Sequence, residues 1–359
     1  RLMRTVGVDI DAAFLRTPLR LATPDGRGLR LPSGRAMPAF VRGVVGQSAW
    51  SLRDRVSLLM AAGGWLAGGF RCDDDITVAQ LCSRLPAAVR QDLLEPLCIA
   101  ALNTAAETAS ARVFLRVLRD ALFSGPGSAD LLLPRVSLSD LLPEPAAAWL
   151  ARSGAQLRPG RRVRSIAASG AGWRVDDEPF DAVIVACTAP EAARLVEPVA
   201  ADWARSAAAL AYEPIVTVYL QSEGTRLPLP MLALSCDPDR RPAQFVFDHG
   251  QLGRRAGLLA FVTSGAAPWL ARGADATVDA TMAQAREQLS GHLGPRLELV
   301  GVLTEKRATF RCTPRLARPA GAIARGLHAA GDYVAGPYPA TLEGAVRSAI
   351  DAARAALSP

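Results

Sequence analysis

Along the first 150 residues, apolar positions recur three and four apart, the spacing of helices rather than strands. Residues 52–66, 87–102 and 109–123 each carry the pattern, and in the third Val113, Phe114, Val117, Leu118 and Ala121 fall on one stripe. Pro86 and Pro96 punctuate the second, and residues 131–145 read as a proline-bounded connection. No alternation of strands with helices occurs in this half, so it is not a nucleotide-binding half-sheet.

The period changes near Gln156. Three short strand candidates separated by Gly-rich or acidic turns lead into the buried-looking run 182–187. Helices are expected over 190–196 and 201–210. Strands of a mixed or antiparallel sheet are expected over 215–220, 231–236, 243–247 and 258–263. An amphipathic helix (275–292), a further strand (297–304) and a terminal strand-loop-helix complete the pattern. The fold class read from this is α/β with α+β character.

Composition changes the picture little. Half the residues are hydrophobic, which is ordinary for a globular chain. The net charge of +7 rests on arginine, since Lys306 is the single lysine among 41 basic residues. A GC-rich genome accounts for that usage; attraction to an anionic surface is the sharper reading. The one tight cluster, Arg161, Arg162 and Arg164, has no aromatic neighbours to stack bases, which argues against nucleic acid. Six cysteines without a CxxC pair, and three scattered histidines, argue against metal and against a disulfide framework. The cysteine pattern fits a reducing cytoplasm.

The uncharged run at residues 56–70 has 15 residues, four of them glycine. It falls short of the ~20 that span a bilayer. Flanked by Arg53, Arg55 and Arg71, it reads either as a kinked core helix or as a peripheral membrane contact with Trp65 and Phe70 at headgroup depth.

The segment with most chemistry is the last. Leu327 to Ala330 is a short apolar strand ending in Gly331-Asp332, followed by a Gly/Pro loop and a helix opening near Thr341. Ligands of open α/β sheets sit beyond the carboxyl ends of strands. Gly331 permits close backbone approach, Asp332 offers an acceptor for sugar or ribityl hydroxyls, and the helix end directs free N–H groups into the loop.

The string GDYVAGPYPATLEGAVRSA (331–349) resembles the C-terminal FAD motif of amine oxidases, protoporphyrinogen oxidases and carotene desaturases. The stretches at 97–120, 130–145, 213–220, 245–252 and 305–314 resemble a narrower group, the squalene-associated FAD-dependent desaturases (hydroxysqualene dehydroxylases) of hopanoid synthesis. This resemblance implies a Rossmann-like FAD domain of the amine oxidase type joined to a helical and mixed-sheet substrate domain. Residues 1–150 would be mainly helical and substrate-facing, with part of the FAD domain; 151–200 would be its β-meander and strand; 201–310 the mixed-sheet substrate domain; 311–359 the FAD-closing strand-loop-helix. It implies that Val163, Gly331, Asp332, Pro339, Ala340, Thr341 and Leu342 serve FAD. An apolar isoprenoid is the implied substrate, and peripheral contact with the inner membrane would let the protein collect it.

The family opens with a Gly-rich dinucleotide turn, and this sequence contains no GxGxxG. The expectation is therefore a truncated Rossmann unit that holds FAD weakly or not at all. Removal of an allylic hydroxyl needs an acid, for which Tyr338, Tyr212 and Asp248 are the catalytic candidates; Asn103 and His249 are candidate substrate contacts. Another flavin desaturase or amine oxidase, and a cofactor-free lipid-binding or partner-docking derivative, remain open readings.

Overall fold

A computed structural model describes residues 1–170 and 172–358. Two apolar clusters hold it together, a large one under the helical half and a smaller one under the main sheet.

The helical half contains Ala36–Val45, Leu52–Ala67, Glu95–Leu102, Ala111–Phe123 and Pro143–Arg152. Helix Leu52–Ala67 begins on a reciprocal cap, Ser51 accepting from the Asp54 amide while the Asp54 carboxylate accepts from the Ser51 amide. The predicted helix over 87–102 is continuous in direction but widens into a π-turn at Arg90–Leu94. Pro96 explains this: it has no N–H for a bond to the preceding turn, and its ring crowds the carbonyl four residues back. The connection read over 131–145 is more structured than expected. It holds the strand Leu131–Pro134, which pairs antiparallel with Phe14–Thr17, the short helix Leu138–Leu141, and the start of Pro143–Arg152. Pro143 sits in the first turn of that helix, where a missing N–H costs nothing.

Helix Ala111–Phe123 decides the geometry of the site. Phe114, Leu115 and Leu118 are buried in the large cluster. Arg112, Arg116 and Arg119, spaced four and three apart, project from another face.

The second half follows the change of period. Ile166–Ser169, Gly172–Val175 and Glu178–Phe180 form an antiparallel meander. The segment 161–165 before it, which includes Val163, is irregular. A five-stranded antiparallel sheet runs in the order Met231–Ala233, Phe245–Asp248, Leu258–Thr263, Tyr212–Gln221, Glu298–Phe310. Its hub, Tyr212–Gln221, alternates from Pro214 onward: Val216, Val218 and Leu220 are buried. They share the smaller cluster with Val278, Ala285 and Leu289 of the helix Ala274–Gln288 and the residue that ends it. Buried Gln284 locks helix to sheet, exchanging hydrogen bonds with both backbone groups of Ala243 at 2.8 and 2.9 Å.

A smaller sheet returns the chain to the site. Leu327–Ala329 pairs parallel with Val183–Val185 and antiparallel with Ala322–Ala324. Helix Leu342–Leu357 follows the loop and closes the fold.

Candidate cofactor and substrate site

The loop after Leu327–Ala329 is held by a side chain at its far end. The Ser348 hydroxyl accepts from the Gly331 amide at 3.0 Å and lies 2.9 Å from both the Gly331 and Ala345 carbonyl oxygens. It thus staples the closing helix to the start of the loop. Gly331 itself has a different reason to be glycine from the one expected. A Cβ there would lie 2.4 Å from the Tyr333 ring, so the ring, not a ligand, occupies the space. Gly344 is equally constrained, since a Cβ would meet the Tyr338 carbonyl oxygen at 2.0 Å. Thr341 caps the helix by accepting from the Gly344 amide at 3.0 Å. The amides of Leu342 and Glu343 then have no intrahelical acceptor and face outward from the helix end.

Beside this loop opens a cavity of about 820 Å³. Its lining includes Gly336, Pro337 and Pro339 from the loop and Cys312 and Thr313 from the end of the hub's neighbouring strand. Six arginines line it (Arg71, Arg112, Arg116, Arg119, Arg315 and Arg318) against one lining carboxylate, Asp74. Arg112 pairs with Asp74 at 2.6 Å, Arg116 with Asp120 at 3.0 Å, and Arg315 with Asp75. Among the described residues, no ion pair involves Arg71 or Arg318. Arg318 instead donates to the carbonyls of Val334 and Gly336 and so shapes the loop. Burial pushes its guanidinium below the ordinary arginine range and Arg112 adds to this, while Cys312 and Asp332 oppose it. The site therefore concentrates positive charge that its own carboxylates do not balance.

A second, wholly apolar pocket of about 50 Å³ adjoins it. Leu31, Phe40, Leu58, Trp65, Leu94 and Leu118 are among its walls, and Phe70 lines both spaces.

The predicted site residues divide sharply. Tyr338 stands between the lining residues Pro337 and Pro339 without itself lining the cavity: its hydroxyl accepts from Arg116 at 3.0 Å, and its ring lies against the Arg116 and Arg347 guanidinium groups at 4.7 and 4.8 Å. Burial works to raise the nearby Asp120 carboxyl, but hydrogen bonds from Arg116 and Tyr338 outweigh it and leave it below its ordinary value. Pro339 lines the cavity, and Ala340 follows with a left-handed backbone, φ 54°, its amide donating to the Asp332 carbonyl. Asp332 lies beneath the loop; burial raises its carboxyl, against hydrogen bonds from the amides of Asp332 and Tyr333. Tyr212 is close enough to feel it. Burial first, then the Asp332 charge, hold the Tyr212 phenol above its ordinary value. Buried Tyr333 is raised by burial too, and its hydroxyl has no hydrogen-bond partner among the described residues.

The other candidates do not line either space. Asp248 is buried at a strand end, accepting from Leu227 and Gln251, and so closes a turn. Asn103 is buried and left-handed at a helix end. Its amide donates to the Glu213 carbonyl and Thr309 hydroxyl and accepts from Gly265, leaving no group for a substrate. His249 packs edge-on against Tyr219 at 5.9 Å. Val163 offers its carbonyl to Arg194. The tight arginine cluster is spent locally, Arg161 on Glu178 and Arg162 on Glu191. Phe70 is only 8% exposed and cannot reach a headgroup.

A parallel strand pair ending in Gly-Asp, a meander, and a helix-closed loop over a cationic cavity define a dinucleotide-type flavoprotein fold. Solved structures agree: an oxidoreductase from Methanosarcina mazei (TM-score 0.68, 14% identity, 94% of this chain and 87% of that one) and cyclohexylamine oxidase from Brevibacterium oxydans (0.65, 14%, 98% and 84%) share it. The chain belongs to the flavin containing amine oxidoreductase family, which it matches over residues 35–357. Its sequence is also similar to hydroxysqualene dehydroxylases from Rhodopseudomonas palustris (29% identity, 71% of this chain, 60% of the relative) and Sinorhizobium fredii (29%, 74%, 62%). The chain thus spans about three-fifths of the length of these relatives.

The residues present fit part of an FAD molecule. The cavity volume lies within the about 300–1,000 Å³ of small-molecule and cofactor sites. The unbalanced arginines suit a pyrophosphate, and the amides of Leu342 and Glu343 together with the orphaned Tyr333 hydroxyl supply uncommitted polar groups near Asp332. Among the described residues no cluster could hold a metal ion, and no helix is long and apolar enough to cross a membrane.

Proposed function

We propose that this chain forms the cofactor-closing and substrate-facing parts of an FAD-dependent oxidoreductase that reductively dehydroxylates hydroxysqualene to squalene. The observation that carries the reading is the adjacency of an arginine-lined cavity at the Gly331-Asp332 loop to a wholly apolar pocket, with Phe70 as their common wall. The larger space suits a phosphate-bearing cofactor, and the apolar one, at about 50 Å³ too small to enclose a C30 chain, suits only one end of a hydrocarbon substrate. The relatives named hydroxysqualene dehydroxylase support the finer choice of substrate.

FAD, once reduced and bound, would supply the hydride. The chain's own residues then have four tasks. Arg71 and Arg318, which have no carboxylate partner among the described residues, balance anionic charge in the cavity, and Asp332 anchors hydroxyls. The leucines and Phe70 exclude water from the reacting carbon. Replacing a C–OH bond by C–H consumes that hydride and one proton and releases water, so a proton must reach the leaving oxygen. Tyr338, set between the lining residues Pro337 and Pro339 with its hydroxyl hydrogen-bonded by Arg116, is the donor assigned to it.

Supplying the protein with FAD and a chemical reductant under anaerobic conditions, and following hydroxysqualene by gas chromatography, tests the reading. Squalene should accumulate, and Tyr338→Phe should slow it at least tenfold. Oxidation of an amine such as cyclohexylamine without squalene formation would instead favour the amine oxidases of the same family.

A further inference from the structure

Two consecutive helices leave apolar stripes uncovered. On Leu52–Ala67, Leu52, Val56 and Met60 lie on one stripe, with Leu52 75% and Met60 73% exposed. Gly63, Leu66 and Ala67 continue the same exposed side. On Ala36–Val45, the preceding helix, Met37, Val41 and Val45 repeat the pattern, all exposed. Residues four apart share a helix face, so each helix presents a continuous apolar ridge. The opposite sides of these helices are buried, and Phe40 from one and Leu58 and Trp65 from the other wall the apolar pocket. Scattered exposed apolar residues need no explanation, but two aligned ridges on neighbouring helices do.

Charge indicates what covers them. The two helices carry Arg42, Arg53 and Arg55 against Asp54 alone, and Arg35 stands exposed before the first. Arg42 and Arg53 are exposed beside the ridges, while Arg55 is committed inward to the carbonyls of Val45 and Trp50. Apolar ridges bordered by arginine match an anionic bilayer surface, with acyl chains under the ridges and lipid phosphates at the arginines.

We propose that the outer faces of Ala36–Val45 and Leu52–Ala67 dock on an anionic lipid bilayer, and that their inner faces receive an apolar substrate from it. The docking face is therefore the Leu52, Val56 and Met60 side of the longer helix, away from Trp65 and Phe70. The substrate half of this proposal rests on the function proposed above; the docking half does not.

Co-sedimentation with vesicles of phosphatidylcholine containing phosphatidylglycerol, without FAD or substrate, tests the docking. The protein should partition onto these vesicles and not onto pure phosphatidylcholine. Val56→Asp with Met60→Asp, and separately Met37→Asp with Val41→Asp, should each lower partitioning more than tenfold without moving the thermal midpoint, because these side chains are exposed. Arg42→Gln with Arg53→Gln should weaken it and flatten its salt dependence. Full binding by both aspartate pairs, or no binding by the wild type, overturns docking. Self-association in sedimentation velocity that Met60→Asp abolishes, with no vesicle binding, assigns the face to a second copy and likewise overturns it. Failure here leaves the flavin reading intact, since neither cofactor nor substrate enters the assay.

Discussion

Asn103 illustrates how a residue that reads as a pocket group can be structural. Its amide joins the end of Glu95–Leu102 to the backbone of Glu213 and Gly265 and to Thr309. Asn103→Ala strands these buried groups at about 1–3 kcal/mol each. Urea unfolding should show a loss of ~3 kcal/mol or more; an unchanged midpoint would contradict the assignment. Asp332→Ala removes a half-buried charged acceptor, worth about 1.5–3 kcal/mol. FAD affinity measured by fluorescence quenching should fall tenfold to a hundredfold, and unchanged affinity would remove Asp332 from the site. His249 gives a pH signature. Burial, with Arg254, lowers its folded value below the ordinary 6.5, while Asp248 opposes the shift. Below pH 6.5 the unfolded chain therefore binds more protons than the folded one, so stability falls as pH drops through that window. The thermal midpoint of His249→Gln should lose less than that of the wild type between pH 7 and 5.

At the scale of elements, the closing helix depends on tight backbone approach. Gly344→Ala places a Cβ against the Tyr338 carbonyl, and relief requires moving the Tyr338 that Arg116 and Arg347 enclose. Gly336→Ala, in the same loop, has its nearest neighbour at 3.9 Å. The first should lower stability by ~1–3 kcal/mol and weaken FAD binding; the second should leave stability unchanged. Equal behaviour of the two by calorimetry and flavin titration would contradict the packing described here.

These elements also show what was legible beforehand. Strand Leu258–Thr263 follows from its apolar run, buried on both faces at its centre, and the body of Ala111–Phe123 from helical periodicity. The Gly-Asp loop and its helix follow from local turn and cap chemistry. The π-turn before Pro96 was not legible, since widening conserves the helical spacing of its neighbours. Nor was the cationic cavity. Arg112, Arg116 and Arg119 have helical spacing, but in a chain whose basic residues are almost all arginine nothing separates them from solvated ones. Arg318 and Arg315 reach them from some 200 residues away, a juxtaposition only the fold creates. Ser348 was visible as part of the terminal motif; its stapling of Gly331 was not.

For the whole molecule, the account makes the arginine cavity and the Gly331-Asp332 loop one cofactor seat, assembled from segments around residues 69–74, 110–119, 312–318 and 331–345. Amide hydrogen exchange of the protein, with and without saturating FAD, measures this most directly because it needs no turnover. The account predicts slowed exchange in residues 110–119, 312–318 and 331–345 together, with the hub of the five-stranded sheet unchanged. Absence of protection in all three segments at saturating FAD, or protection confined to other parts of the chain, would contradict it.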